Sequence, residues 1–154
     1  MKKNNFAEEY AREAALKAQY HEAEKAGSAE GQETARNAYH ELEGQIDAKG
    51  SSYARIYQLY SEARERGNEY IDLNDTIWDK QVKPLIDSLR EYGIEKFTFS
   101  STWSSAVETA WLFTQNGCRL EGLVEINSSH RAFMSEEYEK AHGYLFSTGD
   151  AEEK

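Results

Sequence analysis

The chain has 154 residues, with 28 acidic against 18 basic side chains and a formal net charge of −10, so one compact domain, or one domain with a helical extension, is expected. That charge excludes general binding to nucleic acid or to an anionic membrane surface, both of which use positive surface. The single cysteine, Cys118, excludes an intrachain disulfide framework; no apolar run approaches the ~20 residues of a membrane span and MKKNNFAEEYAREA has no apolar signal stretch, so the expected compartment is the cytoplasm.

Charge and aromatics are unevenly placed. Residues 1–67 hold 10 basic and 12 acidic side chains, net −2, while residues 68–154 hold 8 and 16, net −8. Seven of the ten tyrosines lie in residues 1–70, and all three tryptophans, Trp78, Trp103 and Trp111, come later. A helical unit over 1–67 and an acidic α/β unit over 68–154 are expected, able to pack as one compact domain. No Gly/Ser-rich or Pro-rich stretch separates them, so the junction is short.

In chain order, residues 5–25 are rich in strong helix formers, with a thin apolar stripe of Phe6, Tyr10, Ala14 and Tyr20. Gly27 stops this helix and Ser28 caps the next. Ala35, Tyr39, Leu42 and Ile46 give its rhythm up to Gly50. Ser51 or Ser52 opens a third helix in which Tyr53, Ile56, Tyr57, Tyr60 and Ala63 share a face, and Gly67 stands as its C′ residue. These contact positions favour Tyr and Ala over Leu, which predicts a partly wet bundle or one completed from outside.

The period then changes. Residues 70–73 read as a short strand. Trp78, Val82, Leu85, Ile86 and Leu89 make a helical stripe that stops at Gly93. Phe97 to Phe99 read as a second strand, and Ser105 to Glu108 has capping-box spacing for a helix that ends at Asn116 and Gly117. Cys118, Leu120, Gly122, Val124 and Ile126 alternate with Arg119, Glu121, Leu123 and Glu125, a period-2 strand. A short acidic helix around Ser135–Lys140 and a strand over His142–Ser147 complete the chain. The expected fold class is α+β or α/β: an N-terminal helical hairpin or small bundle, then a small mixed sheet in the order strand, helix, strand, helix, strand, strand. The first strands are expected to be parallel and the last an antiparallel edge.

Two places can hold a ligand. After the second strand, Ser100, Ser101, Thr102, Trp103 and Ser104 lead into a helix N-terminus, where an anion such as a nucleotide phosphate can bind, with Asp75 across the sheet edge. The competing structural reading is a capped turn with Trp103 packed inward, and no glycine-rich phosphate loop exists. The acidic run Glu69, Asp72, Asp75 and Asp79 can bind a hard cation, but Asp75 and Asp79 suit a helix start, so no metal site and no cofactor are expected. His21, His40, His130 and His142 are scattered, and no nucleophile motif is present, so no catalytic residue is assigned.

Two further groups suit a partner. The rings of Tyr53, Tyr57 and Tyr60 form a helical face of the residue type enriched at interfaces, though the same spacing serves a seam with neighbouring helices. Glu136, Glu137 and Glu139, with the net −8 around them, offer a negative patch to a basic surface.

The segments LNDTIWDKQV, EYGIEKFTFSSTWSSAVETAWLF and NGCRLEGLVEIN resemble a domain-of-unknown-function family of short proteins from gut Firmicutes. The resemblance covers about residues 70–147. It implies no activity, cofactor or site residue. Such families occur on phages and plasmids, where small acidic proteins include inhibitors of host nucleases, anti-CRISPR proteins among them. The expected function is therefore a non-catalytic protein-interaction module, with an inhibitor of a nucleic-acid-binding enzyme as its concrete form. The expected partner is a protein with a basic surface, with self-association through the helical unit as an added possibility. The alternative is a small-ligand or nucleotide-binding α/β domain, enzymatic or not, with its site at Ser100–Ser105.

Overall fold

The computed structural model describes residues 4–74 and 79–149. The chain divides into two compact units, one of Asn5–Tyr57 and one running from Gln58 onward together with Asn4. The division falls inside the third helix, whereas the composition shift falls at Gly67.

The first unit contains α1 (Phe6–Lys25), α2 (Ala29–Ala48) and the start of α3 (Ser51–Arg66). Ser28 caps α2, its Oγ accepting the Gly31 N–H at 3.0 Å, and Ala35, Leu42 and Ile46 are buried at the expected spacing. The buried residues of α1 are Phe6 and Glu9 rather than a hydrophobic stripe. Phe6 packs against the rings of Tyr53 and Tyr57, with centroids 4.9 and 6.1 Å away.

The second unit carries the rest of α3, then β1 (Ile71–Leu73), α4 (Asp79–Glu91), β2 (Lys96–Phe99), α5 (Ala106–Gln115), β3 (Arg119–Arg131) and β4 (Tyr138–Ser147). Helices α3 and α4 stop in the same way: the Asn68 and Ile94 N–H groups reach back to Ala63 and Leu89 carbonyls, and Gly67 and Gly93 supply the positive φ between. Only a residue without Cβ takes that conformation at no cost. On α4, Val82, Leu85, Ile86 and Leu89 form the buried stripe; Trp78 lies outside the described residues.

The four strands form one mixed sheet in the order β1-β2-β4-β3. β1 and β2 are parallel, joined through α4, and β4 runs antiparallel to both of its neighbours. Three features differ from the expectations. First, β4 is internal and β3 is the edge. The hairpin forces β4 beside β3, and β4 brings the buried Phe146 and Gly143, whereas β3 brings Arg119, Glu121 and Glu125, charges that suit an edge. A Cβ at Gly143 would stand 3.0 Å from that of Thr98, so this strand is admitted at close range.

Second, residues 135–140 form no helix. They make the turn after β3 and the start of β4. Helix-forming glutamates are overridden by the ladder, whose Arg131–Tyr138 pair closes the hairpin. Third, Ser105 does not cap α5 through its side chain. Its backbone, at φ −84° and ψ 0°, already lies in a turn, so the hydroxyl does not reach the helix N–H groups.

Cross-strand partners share a face. Phe97 and Phe99 of β2 and Phe146 of β4 therefore point to the side on which Phe113 of α5 packs, at 5.1–5.3 Å between ring centroids. A register shift between Leu120 and Gly122 breaks the simple alternation of β3. It puts Leu120 and Leu123 together on the Phe146 side, opposite Phe146 and Tyr144.

Candidate functional site

The β3–β4 hairpin outgrows the sheet that carries it. β2 pairs only with Tyr144–Ser147 of β4, so the ladder from Gly143 to Tyr138 has β3 as its one partner. The base of this arm is fixed where the Asn68 side chain donates to the Asn127 carbonyl at 3.0 Å and accepts the Asn127 N–H at 2.9 Å. Beyond Asn127 only the Arg131–Tyr138 pair continues the register.

The tip is nevertheless specified. The Ala132 N–H donates to the Glu137 carbonyl at 2.8 Å and the Ser135 N–H to the Ala132 carbonyl at 3.0 Å. The Arg131 guanidinium lies over the Tyr138 ring and donates to the Glu136 carbonyl. This framework presents Phe133 and Met134 to solvent, 90% and 91% exposed. Met134 has φ +54°, a left-handed conformation that favours Gly, Asn or Asp and costs other residues roughly 1–2 kcal/mol. Glu136, Glu137 and Glu139, all exposed, follow directly on it. The tip therefore combines two apolar side chains with three carboxylates and the one guanidinium of Arg131.

The Ser100–Ser105 segment does different work. Asp72, buried in β1, accepts the hydroxyls of Thr98 and Ser100, each at 2.6 Å. Two neutral donors thus hold a carboxylate beneath the ends of the parallel strands, and the Ser100 proton is committed to it. The Ser101 Oγ accepts the Trp103 N–H at 3.3 Å. Thr102 and Ser104 are exposed, and Trp103 is 64% exposed instead of packed inward. Asp75 lies outside the described residues. Among the described residues no group of three or more His, Cys, Asp or Glu is placed to hold a metal ion, and no helix is long and apolar enough to cross a membrane. Cys118 is a buried thiol.

The tyrosine face divides. Tyr53 and Tyr57 are buried in the helical unit, where their hydroxyls donate to Glu9 and Glu13 of α1. Lys49 adds an ion pair to Glu9 at 3.0 Å. Burial, and then the bond to a carboxylate, raises both phenols above their ordinary range. The bond to Glu9 raises Lys49 despite its partial burial. Tyr60 lies in the other unit and lines a cleft of about 310 Å³ with Arg64, Glu69, Tyr70 and Lys96.

Sequence reading named the glutamates but missed Phe133 and Met134. The signal available was two adjacent large apolar residues inside the polar run from Asn127 to Lys140.

The chain matches the family described as Domain of unknown function (DUF7698) over residues 55–148, more than half its length, and belongs to that family. The match begins inside α3, near the division between the units, and ends just beyond β4. No curated protein and no solved structure matches the chain.

Proposed function

We propose that this protein is a protein-binding module whose α/β unit engages its partner through the tip of the β3–β4 arm. The observation that carries this reading is the specified turn that holds Phe133 and Met134 in water beside Glu136, Glu137 and Glu139. Two adjacent large apolar side chains held in water by an ordered turn suit an interaction site. The matching surface on the partner is an apolar pocket rimmed by Lys or Arg. A nucleic-acid-binding enzyme has cationic clefts of this kind, so an inhibitor that occupies such a cleft is the concrete form of the proposal, with the cytoplasm as its compartment.

The test is affinity capture from the host cytosol with quantitative mass spectrometry, comparing the wild-type chain with the triple charge reversal at Glu136, Glu137 and Glu139 to Lys. Recovery of the partner is expected to fall about tenfold or more in the reversal, and to fall as salt rises toward ~0.5 M, because exposed charge pairing is screened. Equal recovery by both chains at all salt concentrations contradicts the proposal.

A second reading rests on the buried Asp72 beneath Ser100, at the strand ends where open α/β sheets bind ligands. It predicts a rise in melting temperature with added nucleotide that the tip variants leave intact.

A further inference from the structure

The core face of the sheet is only partly covered. Phe97, Phe99 and Phe146 lie under α5, but on the same face Leu120, Leu123 and Tyr144 are each more than half exposed. α5 packs beside β3 and shows its own apolar side, with Val107 and Trp111 exposed one turn apart and Trp103 exposed just ahead of the helix. Tyr and Trp side chains bury about 150–250 Å² each, so the three aromatic residues alone expose on the order of 300 Å². With Val107, Leu120 and Leu123 this reaches or exceeds the largest patches on ordinary monomers, about 300–600 Å². With a polar margin it approaches the ~800 Å² that each subunit of a standard interface buries.

Charge permits a second copy as the occupant. The chain carries net −10, so two copies repel one another over most of their surface. Toward the arm, the same sheet face continues with Glu125 paired to His142 and with Lys140 on the next position, a formal sum of zero with His neutral. On the outer side of α5 the exposed Glu108 adds one negative charge, so two copies approach here with a small part of that repulsion.

We infer that the uncovered face of β3 and β4, together with the outer side of α5, is the interface of a homodimer. The two copies meet isologously, each covering the exposed leucines and tyrosine of the other. This is independent of the partner assigned to the hairpin tip, which lies beyond the patch.

Sedimentation and light scattering on the full chain over a range of concentrations test this. The expected result is a species of twice 17.6 kDa that dissociates on dilution. Leu123→Glu and Tyr144→Glu, both at exposed positions, are expected to raise the dissociation constant roughly thirtyfold or more with unchanged circular dichroism, while Phe133→Ser leaves it unchanged. A wild-type chain that stays monomeric at every concentration overturns the inference. So does a dimer that persists in both glutamate variants, which would place self-association elsewhere, the helical unit included.

Discussion

The two units differ in that the α/β unit, besides the aromatic residues it buries, leaves several large ones in water. In the helical unit Phe6, Tyr53 and Tyr57 turn inward, and the phenol hydroxyls satisfy the carboxylates of Glu9 and Glu13, which lie on the α1 face that starts at Phe6. In the α/β unit Trp103, Trp111, Phe133 and Tyr144 turn outward although the core beside them is built of phenylalanine. The lesson is that residue type does not set the side. Tyr goes inside where an acidic helix face supplies acceptors, and Trp stays outside where the core is already filled.

The largest effect expected from breaking this contrast is on α5. Phe113→Ala removes a fully buried ring that touches Phe97, Phe99 and Phe146 and is expected to cost about 3–5 kcal/mol in urea unfolding. Trp111→Ala, two residues away and 57% exposed, is expected to change monomer stability by less than about 0.5 kcal/mol. Similar costs for the two would mean that the helix faces are not divided as described.

Next in size is the polar seam. Tyr53→Phe keeps the ring but leaves the buried Glu9 carboxylate with Lys49 as its remaining partner in this group. The expected loss is about 1–3 kcal/mol, the cost of an underpaired buried acceptor.

The same seam sets a pH dependence. Tyr53 and Tyr57 have folded-state values raised above the ordinary 10.0, and Lys49 is raised above 10.5. Groups raised in this way contribute fully below their unfolded values and lose that contribution as pH rises through the folded ones. The helical unit is therefore expected to hold its stability up to about pH 10 and lose it above, followed by circular dichroism. Tyr57→Phe should make the loss shallower.

The smallest effect concerns the turn. Met134→Asn is expected to leave stability unchanged or raise it by up to about 1 kcal/mol, because Asn accepts positive φ more readily. A clear fall in melting temperature would show that Met134 serves the fold.

Much of the fold was legible in the sequence because it rests on local signals. The stripe Val82, Leu85, Ile86 and Leu89, the Ser28 cap and the glycines after α3 and α4 each act within one or two helical turns. What failed depends on long-range pairing. The extra residue at Glu121 changes the phase of β3, so Leu123, which alternation groups with the charged residues, joins Leu120 on the core side. The Glu-rich stretch 135–140 has helical propensity, yet the hairpin ladder decides its conformation. The inward face of α1 reads as weak because it is Phe6, Glu9 and Glu13, and the tyrosines of α3, with the ion pairs from Lys49 and Lys17, make those glutamates tenable inside. At the candidate site, acidity was visible by counting. The exposure of Phe133 and Met134 follows from the length of the hairpin beyond β2, which no local pattern encodes.

The central claim is that the apolar tip of the β3–β4 arm serves recognition and not folding. The most direct measurement pairs two readings on the double variant Phe133→Ser/Met134→Asn: its melting temperature, and its capture of partner from a host lysate relative to wild type. The account predicts a wild-type melting temperature with recovery reduced about tenfold or more. Full recovery of the same proteins, or a loss of recovery that tracks a loss of folding, would contradict it.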